Sequence, residues 1–270
     1  MKLLQPFLRR TSSLSSSLPG RPHQLRKASS LLAPGQQSLR NEYYALRHGW
    51  SKANEAGIIV SRIDSGARLE YGAFSVWEGA FQVSRRWRTV GLYAVEQTRE
   101  GQTTSYRAGL HATGREQASA AGEAFREIVG ERPVAILSSD FSRTFETAKI
   151  VANAVDADVE AEPALRERDF GDFELGPNTA YEAVWEQDAI DATHTAWGVE
   201  AAAAVLARAA GAVQRVEESA REGHAVLLVS HGDCLQILQT AFAGVDVSAH
   251  RSLPHLETCE LRRLELLGVS

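Results

Sequence analysis

Residues 42–57 read Glu-Tyr-Tyr-Ala-Leu-Arg-His-Gly-Trp-Ser-Lys-Ala-Asn-Glu-Ala-Gly. The first half is short, aromatic and apolar, which predicts a buried strand that ends at Arg47, His48 and Gly49. In an open α/β sheet, ligands bind in the crevice outside the carboxyl ends of the strands. The stretch therefore predicts a cation, an imidazole and a flexible glycine at the edge of a ligand site.

Two further strand patterns end beside similar residues. Residues 225–230 form the strongest strand pattern in the chain, and His231-Gly232 follows it directly. Residues 133–139 form another buried strand, and the helix predicted after it carries Arg143 on its first turn. Because parallel strands end at one edge of a sheet, we expect these residues to meet those of the first strand there.

Strand and helix patterns alternate from residue 42 onward. This alternation predicts an α/β fold, a three-layer sandwich with a mostly parallel central sheet and helices on both faces. The chain has 270 residues, two cysteines and a formal net charge of −5. This balance does not favour nucleic-acid binding, and no apolar run looks long enough to span a membrane.

The converging residues indicate phosphate chemistry. The planar guanidinium group of arginine can donate two parallel hydrogen bonds to phosphoryl oxygens. An imidazole whose tautomer is fixed by a backbone carbonyl can attack phosphorus. Such a pocket needs neither a metal nor a cofactor, because Arg47, Arg143 and His231 would hold the phosphoryl charge. Glu167, in the charged loop 165–171, is the candidate acid for the leaving group and then the base for water.

The motifs resemble those of the histidine phosphatase superfamily, in its phosphoglycerate-mutase-like branch. The resemblance runs in the family's order from about residue 42 to residue 266. It is carried by Arg47-His48-Gly49, Ser51 and Asn54, Thr113-Gly114, the Ser139/Arg143/Thr147 helix entry, Leu165-Arg166-Glu167 and His231-Gly232.

The resemblance implies a role for each matched residue. It implies His48 as the nucleophile and Glu167 as the proton donor. Arg47, Arg143, His231 and Gly232 are then the phosphate ligands, and Asn54 is a secondary phosphate contact. The substrate would be a small phosphorylated molecule.

Several residues have simpler structural interpretations. Asp140 and Asp233 can cap their helices, although Asp233 is also an alternative proton donor. Thr113 with Glu116 resembles a helix-capping box. Five histidines show no spacing suited to a metal, and we interpret them as surface or cap residues: His111, His194, His224, His250 and His255.

Two segments do not look like the rest of the domain. Residues 1–40 are rich in arginine and serine and lack acidic residues up to position 39, which is typical of a mitochondrial or plastid transit peptide. The alternative is a disordered basic tail on a cytoplasmic protein. Residues 73–109 have no clear period, and we expect an insertion, either a functional lid or a translated intron. Residues 41–270 would otherwise form one domain with a small acidic cap at about 169–197.

The function predicted from these residues is metal-independent hydrolysis of a phosphomonoester through a phosphohistidine. Phosphoglycerate mutase-type transfer is the alternative, because both activities use the same centre. Residues 169–207 contain acidic residues but no lysine or arginine, which argues against an anionic phosphoglycerate. A catalytically inactive phospho-ligand-binding or scaffold protein is the alternative of another class.

Overall fold

The computed structural model describes residues 31, 38–62, 97–99, 102–104, 109–219 and 221–266. Its strands are β1 (Glu42–Arg47), β2 (Gln97–Arg99), β3 (Gln102–Thr104), β4 (Val134–Ser138), β5 (Val159–Ala161), β6 (Ala225–Ser230) and β7 (Leu261–Leu264). Its α-helices are α1 (Lys52–Ala56), α2 (Ala112–Val129), α3 (Ser142–Val155), α4 (Tyr181–Ile190), α5 (Ala202–Glu218) and α6 (Gly232–Ala243).

The central sheet has the strand order β5–β4–β6–β1–β7. Its first four strands are parallel, and β7 is an antiparallel edge strand beside β1. Side chains of successive strand residues point to opposite faces. Tyr43 and Ala45 accordingly pack in the cluster with α5 and α6, whereas Tyr44 and Leu46 pack in the cluster with α2 and α3. The predicted three-layer α/β sandwich is confirmed.

The register of β1 against β6 positions the residues that follow both strands. Arg47 pairs with Ser230, and the His48 amide donates to the Ser230 carbonyl at 3.0 Å. His48 and His231 are therefore the next residues of two neighbouring parallel strands. This places two imidazoles side by side at the carboxyl edge of the sheet.

The apolar sequence of helix α5 tests the prediction that no segment is long enough to span a membrane. By length and composition, Ala196–Glu218 is long and apolar enough to cross a membrane, so the prediction that no apolar run has this length was wrong. In the fold its helical part buries Val205, Leu206, Ala209 and Val213 in the core beside α6. These contacts are those of a core helix.

The two unusual segments lie mostly outside the described residues. Of residues 1–40, Leu31 is buried in the α5–α6 cluster, and Arg40 donates through its amide to Glu217 Oε2 at 2.6 Å. Contacts with the domain therefore begin before residue 41. Within 73–109, β2 and β3 pair as a short antiparallel hairpin. The transit peptide and the origin of the insertion stay predictions.

Candidate active site

Four residues from three segments meet at the carboxyl edge of the sheet, and we call them the phosphate centre: Arg47, His48, Arg143 and His231. The centroids of the two imidazoles are 5.3 Å apart. His48, Arg143 and His231 are each at most 4 % exposed. The predicted convergence of these side chains is therefore present in the fold.

Arg143 bridges the two imidazoles. Its Nε donates to His48 Nε2 at 3.2 Å, and its Nη2 lies 3.0 Å from His231 Nδ1. Because a guanidinium group has no acceptor, His231 Nδ1 must accept. The His231 proton is then on Nε2, which lies 2.9 Å from Ser139 Oγ. Both histidine tautomers are thus fixed by their neighbours.

The His48 ring is held in the form that a nucleophile requires. Its Nδ1 lies 2.8 Å from the Gly49 carbonyl, so Nδ1 carries the proton and Nε2 keeps its lone pair. Burial, Arg143 and Arg47 lower the pKa of His48 well below its ordinary value. The ring is therefore neutral at pH 7, as attack through nitrogen demands.

Gly49 is required by the close packing of two backbone segments. A Cβ on Gly49 would lie 2.4 Å from the Gly114 carbonyl oxygen, and one on Gly114 would lie 2.1 Å from that of Trp50. The Gly49 amide also donates to Thr147 Oγ1 at 3.1 Å. The first turn of α2 thus packs directly on the loop after β1, and α3 anchors that loop.

Glu167 is brought to the centre by two anchors of its loop. Ser230 Oγ donates to the Leu165 carbonyl at 2.6 Å, and the Cys234 amide donates to Glu167 Oε1 at 3.0 Å. The Arg168 amide donates to the same oxygen, which leaves Oε2 as the oxygen that can carry a proton. Burial and the charge of Asp233 raise the pKa of Glu167, as a general acid requires.

The Arg47 side chain is held at the centre by residues of the C-terminal segment. Its Nη1 donates to the Leu256 carbonyl at 3.0 Å and lies 2.9 Å from His255 Nε2. A Cβ on Gly232 would lie 2.9 Å from His255 Cε1 and 3.4 Å from Arg47 Cζ. A side chain at position 232 would therefore require the His255 ring to move. The interpretation of His255 as a surface or cap residue was wrong, because the ring packs inside the site.

Asn54 has a structural role in addition to any contact with phosphate. Ser51 caps α1, and the Ser51 amide and hydroxyl both donate to Asn54 Oδ1, at 3.0 and 2.7 Å. This completes a capping box. Phosphate contact by Asn54 stays a prediction.

Three of the remaining assignments were also wrong. Asp140 does not cap α3 but pairs with Arg166, and α2 is capped by His111 instead of Thr113. Asp233 lies in the first turn of α6 and is held by side chains of other elements. It accepts from Trp185 Nε1 at 2.9 Å and from Arg168 Nη1 at 3.3 Å.

A buried charge network fixes the cap, and its two histidines are not surface residues either. Asp188 accepts from both Nη atoms of Arg168, at 2.6 and 2.8 Å, and both side chains are 0 % exposed. His194 Nε2 and His250 Nε2 contact the same carboxylate, at 2.9 and 3.2 Å. Burial alone would raise the pKa of Asp188, but hydrogen bonds from His250 and Arg168 hold it well below its usual range.

An aromatic stack closes the cap side of the site. The rings of Tyr181 and Trp185 are stacked at a centroid distance of 5.3 Å, and the Arg251 guanidinium lies 3.6 Å from the Trp185 ring centroid. Burial and the neighbouring carboxylates of Glu167 and Asp233 raise the pKa of Tyr181, while Arg143 and Arg47 act in the opposite direction. The stack therefore lies beside the phosphate centre. Its arginine comes from the C-terminal segment, outside the cap sequence.

Two imidazoles, two guanidinium groups and a protonatable carboxyl at one sheet edge are the layout of a phosphoryl-transfer protein. The chain belongs to the histidine phosphatase superfamily (branch 1), whose family model matches residues 94–268. The matched range begins after Arg47-His48-Gly49. The pairing of β1 with β6 nevertheless places that triplet beside the second histidine.

Relatives and solved structures agree with this family. The chain is 34% identical over 134 residues to "Probable phosphoglycerate mutase GpmB" of Proteus mirabilis, covering 48% of this chain and 62% of that protein. It is 32% identical over 161 residues to the Salmonella paratyphi C protein of the same name, covering 58% and 73%. A mycobacterial glucosyl-3-phosphoglycerate phosphatase with VO3 has a similar fold, at a TM-score of 0.57 and 22% identity over 82% of this chain and 88% of that one.

Proposed function

We propose that the chain is a metal-independent phosphomonoester hydrolase that acts on a small phosphorylated metabolite through a phosphohistidine at His48. One observation carries the proposal. His48 is neutral, its Nδ1 proton is donated to the Gly49 carbonyl, and its Nε2 lone pair accepts from Arg143 Nε beside the His231 ring.

In the first half-reaction His48 Nε2 attacks phosphorus. The N–P bond forms while the bond between phosphorus and the leaving oxygen breaks, and Glu167 Oε2 gives its proton to that oxygen. Arg47, Arg143 and His231 stabilise the phosphoryl charge. For this, Arg143 exchanges its imidazole acceptors for phosphoryl oxygens.

In the second half-reaction water attacks the phosphohistidine. Glu167, now ionised, takes the proton from the water while the N–P bond breaks, and inorganic phosphate leaves. The same carboxyl thus serves both steps and returns to its starting state.

The acidity of the cap sequence does not by itself favour hydrolysis over mutase transfer, because some of its carboxylates are paired with arginines. Asp188 is paired with Arg168, and Asp169 accepts from Arg62 at 2.6 Å. Arg251 adds a cation beside Trp185 from outside the cap sequence. The connection between Glu167 and His231 supports hydrolysis, because it is shorter than the one that mutases of this superfamily use and adds to the sandwich a cap with a single α-helix, α4.

Assays of the purified full-length protein test the proposal. We expect p-nitrophenyl phosphate hydrolysis that survives EDTA and is abolished in His48→Ala. Activity confined to 3-phosphoglycerate with a bisphosphate primer would indicate a mutase. A folded protein that binds orthovanadate but turns over neither substrate would indicate a binding or scaffold protein. A panel of phosphorylated metabolites would then define the substrate.

A further inference from the structure

The C-terminal segment inserts a third histidine beside the phosphate centre. After α6, a 3-10 helix (Val247–Ser252) leads to Leu253–Leu256, and His255 lies against Arg47 and Gly232. The contact joins residues 208 positions apart in sequence. Neither the strand patterns nor the motif resemblance assigns His255 any role.

The bonds of Arg47 orient its guanidinium group. Nη1 is directed at two acceptors, the Leu256 carbonyl and His255 Nε2. Nε is buried and has no hydrogen-bond partner among the described residues. Nε lies 3.4 Å from the position of a Cβ on Gly232, the residue after His231. The group is thus held by Nη1, while the N–H of Nε stays available beside the phosphate centre.

The protonation state of His255 follows from this contact. Because the arginine can only donate, Nε2 of His255 must accept and the ring proton must be on Nδ1. A protonated ring would lose the acceptor and place a second cation against Arg47. Burial, Arg47 and Arg251 lower the pKa of His255, while Glu257 and Asp233 act in the opposite direction. The neutral ring is therefore the form that the contact needs.

On the basis of the proposed function, we propose that His255 is a positioning residue for Arg47. As a neutral acceptor for Nη1, it turns the guanidinium so that its Nε edge faces the phosphoryl oxygens. An arginine held by one edge can offer the other edge to an oxyanion. The ring also fills the space above Gly232, which explains why a side chain at that position would collide with it. His255 acts through Arg47 and does not touch the reacting atoms.

Two substitutions of His255 and a double-mutant cycle test this role. His255→Leu removes the acceptor, and His255→Gln keeps an acceptor oxygen at a similar reach. His224→Leu, at the opposite end of β6, is the matched control. For each variant, kcat and KM for p-nitrophenyl phosphate, the Ki of orthovanadate and the thermal unfolding midpoint are measured, and His255→Leu is repeated in an Arg47→Lys background.

We expect His255→Leu to raise KM and the vanadate Ki about tenfold while kcat falls less, because a directed charge-assisted bond to phosphate is lost. His255→Gln is expected to stay within about threefold of the wild type on the same grounds. In the Arg47→Lys background, His255→Leu should have little further effect, since its partner is already gone.

Three outcomes would overturn the proposal. They are unchanged constants in His255→Leu, an equal loss in His255→Gln, or an equal fold-loss in both Arg47 backgrounds, which would indicate a general structural role. If the wild type hydrolyses nothing, the proposed function fails separately. Calorimetric binding of orthovanadate to the same variants then still decides the role of His255.

Discussion

The phosphate centre and the cap hold their buried charges differently. At the phosphate centre, Arg47 and Arg143 donate to imidazole nitrogens and backbone carbonyls. In the cap, Arg168 and Asp188 form a bidentate ion pair, and both side chains are fully buried. Neutral acceptors can be exchanged for a phosphoryl group, because arginine binds an anion more strongly than a carbonyl. A paired cation is already neutralised, and its contribution is structural.

The same comparison applies to the histidines. His48 and His231 are neutral, adjacent and buried among cations. His194 and His250 are bound to one carboxylate. In the proposed function the first pair acts at phosphorus, whereas His250 links the C-terminal segment to Asp188 of α4 and His194 links the loop after α4 to the same carboxylate. The four predictions below test this division, starting with the largest expected effect.

His48→Ala should reduce kcat for p-nitrophenyl phosphate by about 10⁴-fold or more, as expected when a covalent nucleophile is removed. Stopped-flow or long-incubation assays measure the residual rate. The wild type quenched with labelled substrate should retain acid-labile, base-stable phosphate on the protein, and the variant should retain none. Comparable labelling of both would place the nucleophile elsewhere.

Glu167→Gln should lower kcat/KM by about 10²- to 10⁴-fold for an alkyl phosphate and far less for p-nitrophenyl phosphate, because kcat/KM reports the first half-reaction and the p-nitrophenolate leaving group needs no proton. The pH dependence follows from the raised pKa of Glu167. The donor is protonated below that pKa, so alkyl phosphate turnover should fall as the pH rises through it. The variant should lack this alkaline limb. Asp233→Asn is the comparison, and an equal leaving-group effect there would make Asp233 the donor.

Asp188→Asn should destabilise the protein by about 3–5 kcal/mol, because it removes the closer of the two carboxylates that face the buried Arg168 and leaves only Asp233, at 3.3 Å. Urea unfolding measures the loss, with the exposed Glu186→Gln in the same helix as control. The folded-state pKa of Asp188 is lowered, so its stabilisation is complete above the ordinary aspartate value of about 3.9 and declines below it. The difference from the wild type should therefore shrink near pH 3. A constant difference would contradict this.

Trp185→Phe should have the smallest effect, a loss of about 1 kcal/mol of stability from the missing hydrogen bond to Asp233. We expect KM for p-nitrophenyl phosphate to change by less than about threefold, since the phosphate centre is untouched. Larger phosphomonoesters that reach the stack should show a greater change. A large loss of kcat with every substrate would show that the cap takes part in phosphorus chemistry.

The sequence located the phosphate centre because its members follow strands. Residues at the ends of strands with strong apolar patterns share an edge once the strands are parallel, and β1 and β6 have such patterns. The position of the Glu167 loop followed from the motif, and the two hydrogen bonds that anchor it appeared only in the fold. His255, in contrast, follows a proline in an irregular segment and has no local pattern. The capping residue of α2 was also wrong by two positions, because His111 and Thr113 are both plausible caps by local sequence.

The electrostatics of the cap could not be predicted from the composition of the cap segment alone. Its composition gives acidic residues without nearby cations, yet Arg62, Arg168 and Arg251 reach it from outside or from its border. By itself, the sequence determined the alternation of elements, the sheet edge that carries the site and the four residues of the phosphate centre, because these depend on local periodicity and strand direction. The tertiary structure alone decided which charges are neutralised, which tautomers the imidazoles adopt and that His255 holds Arg47, because these depend on contacts between residues far apart in the chain.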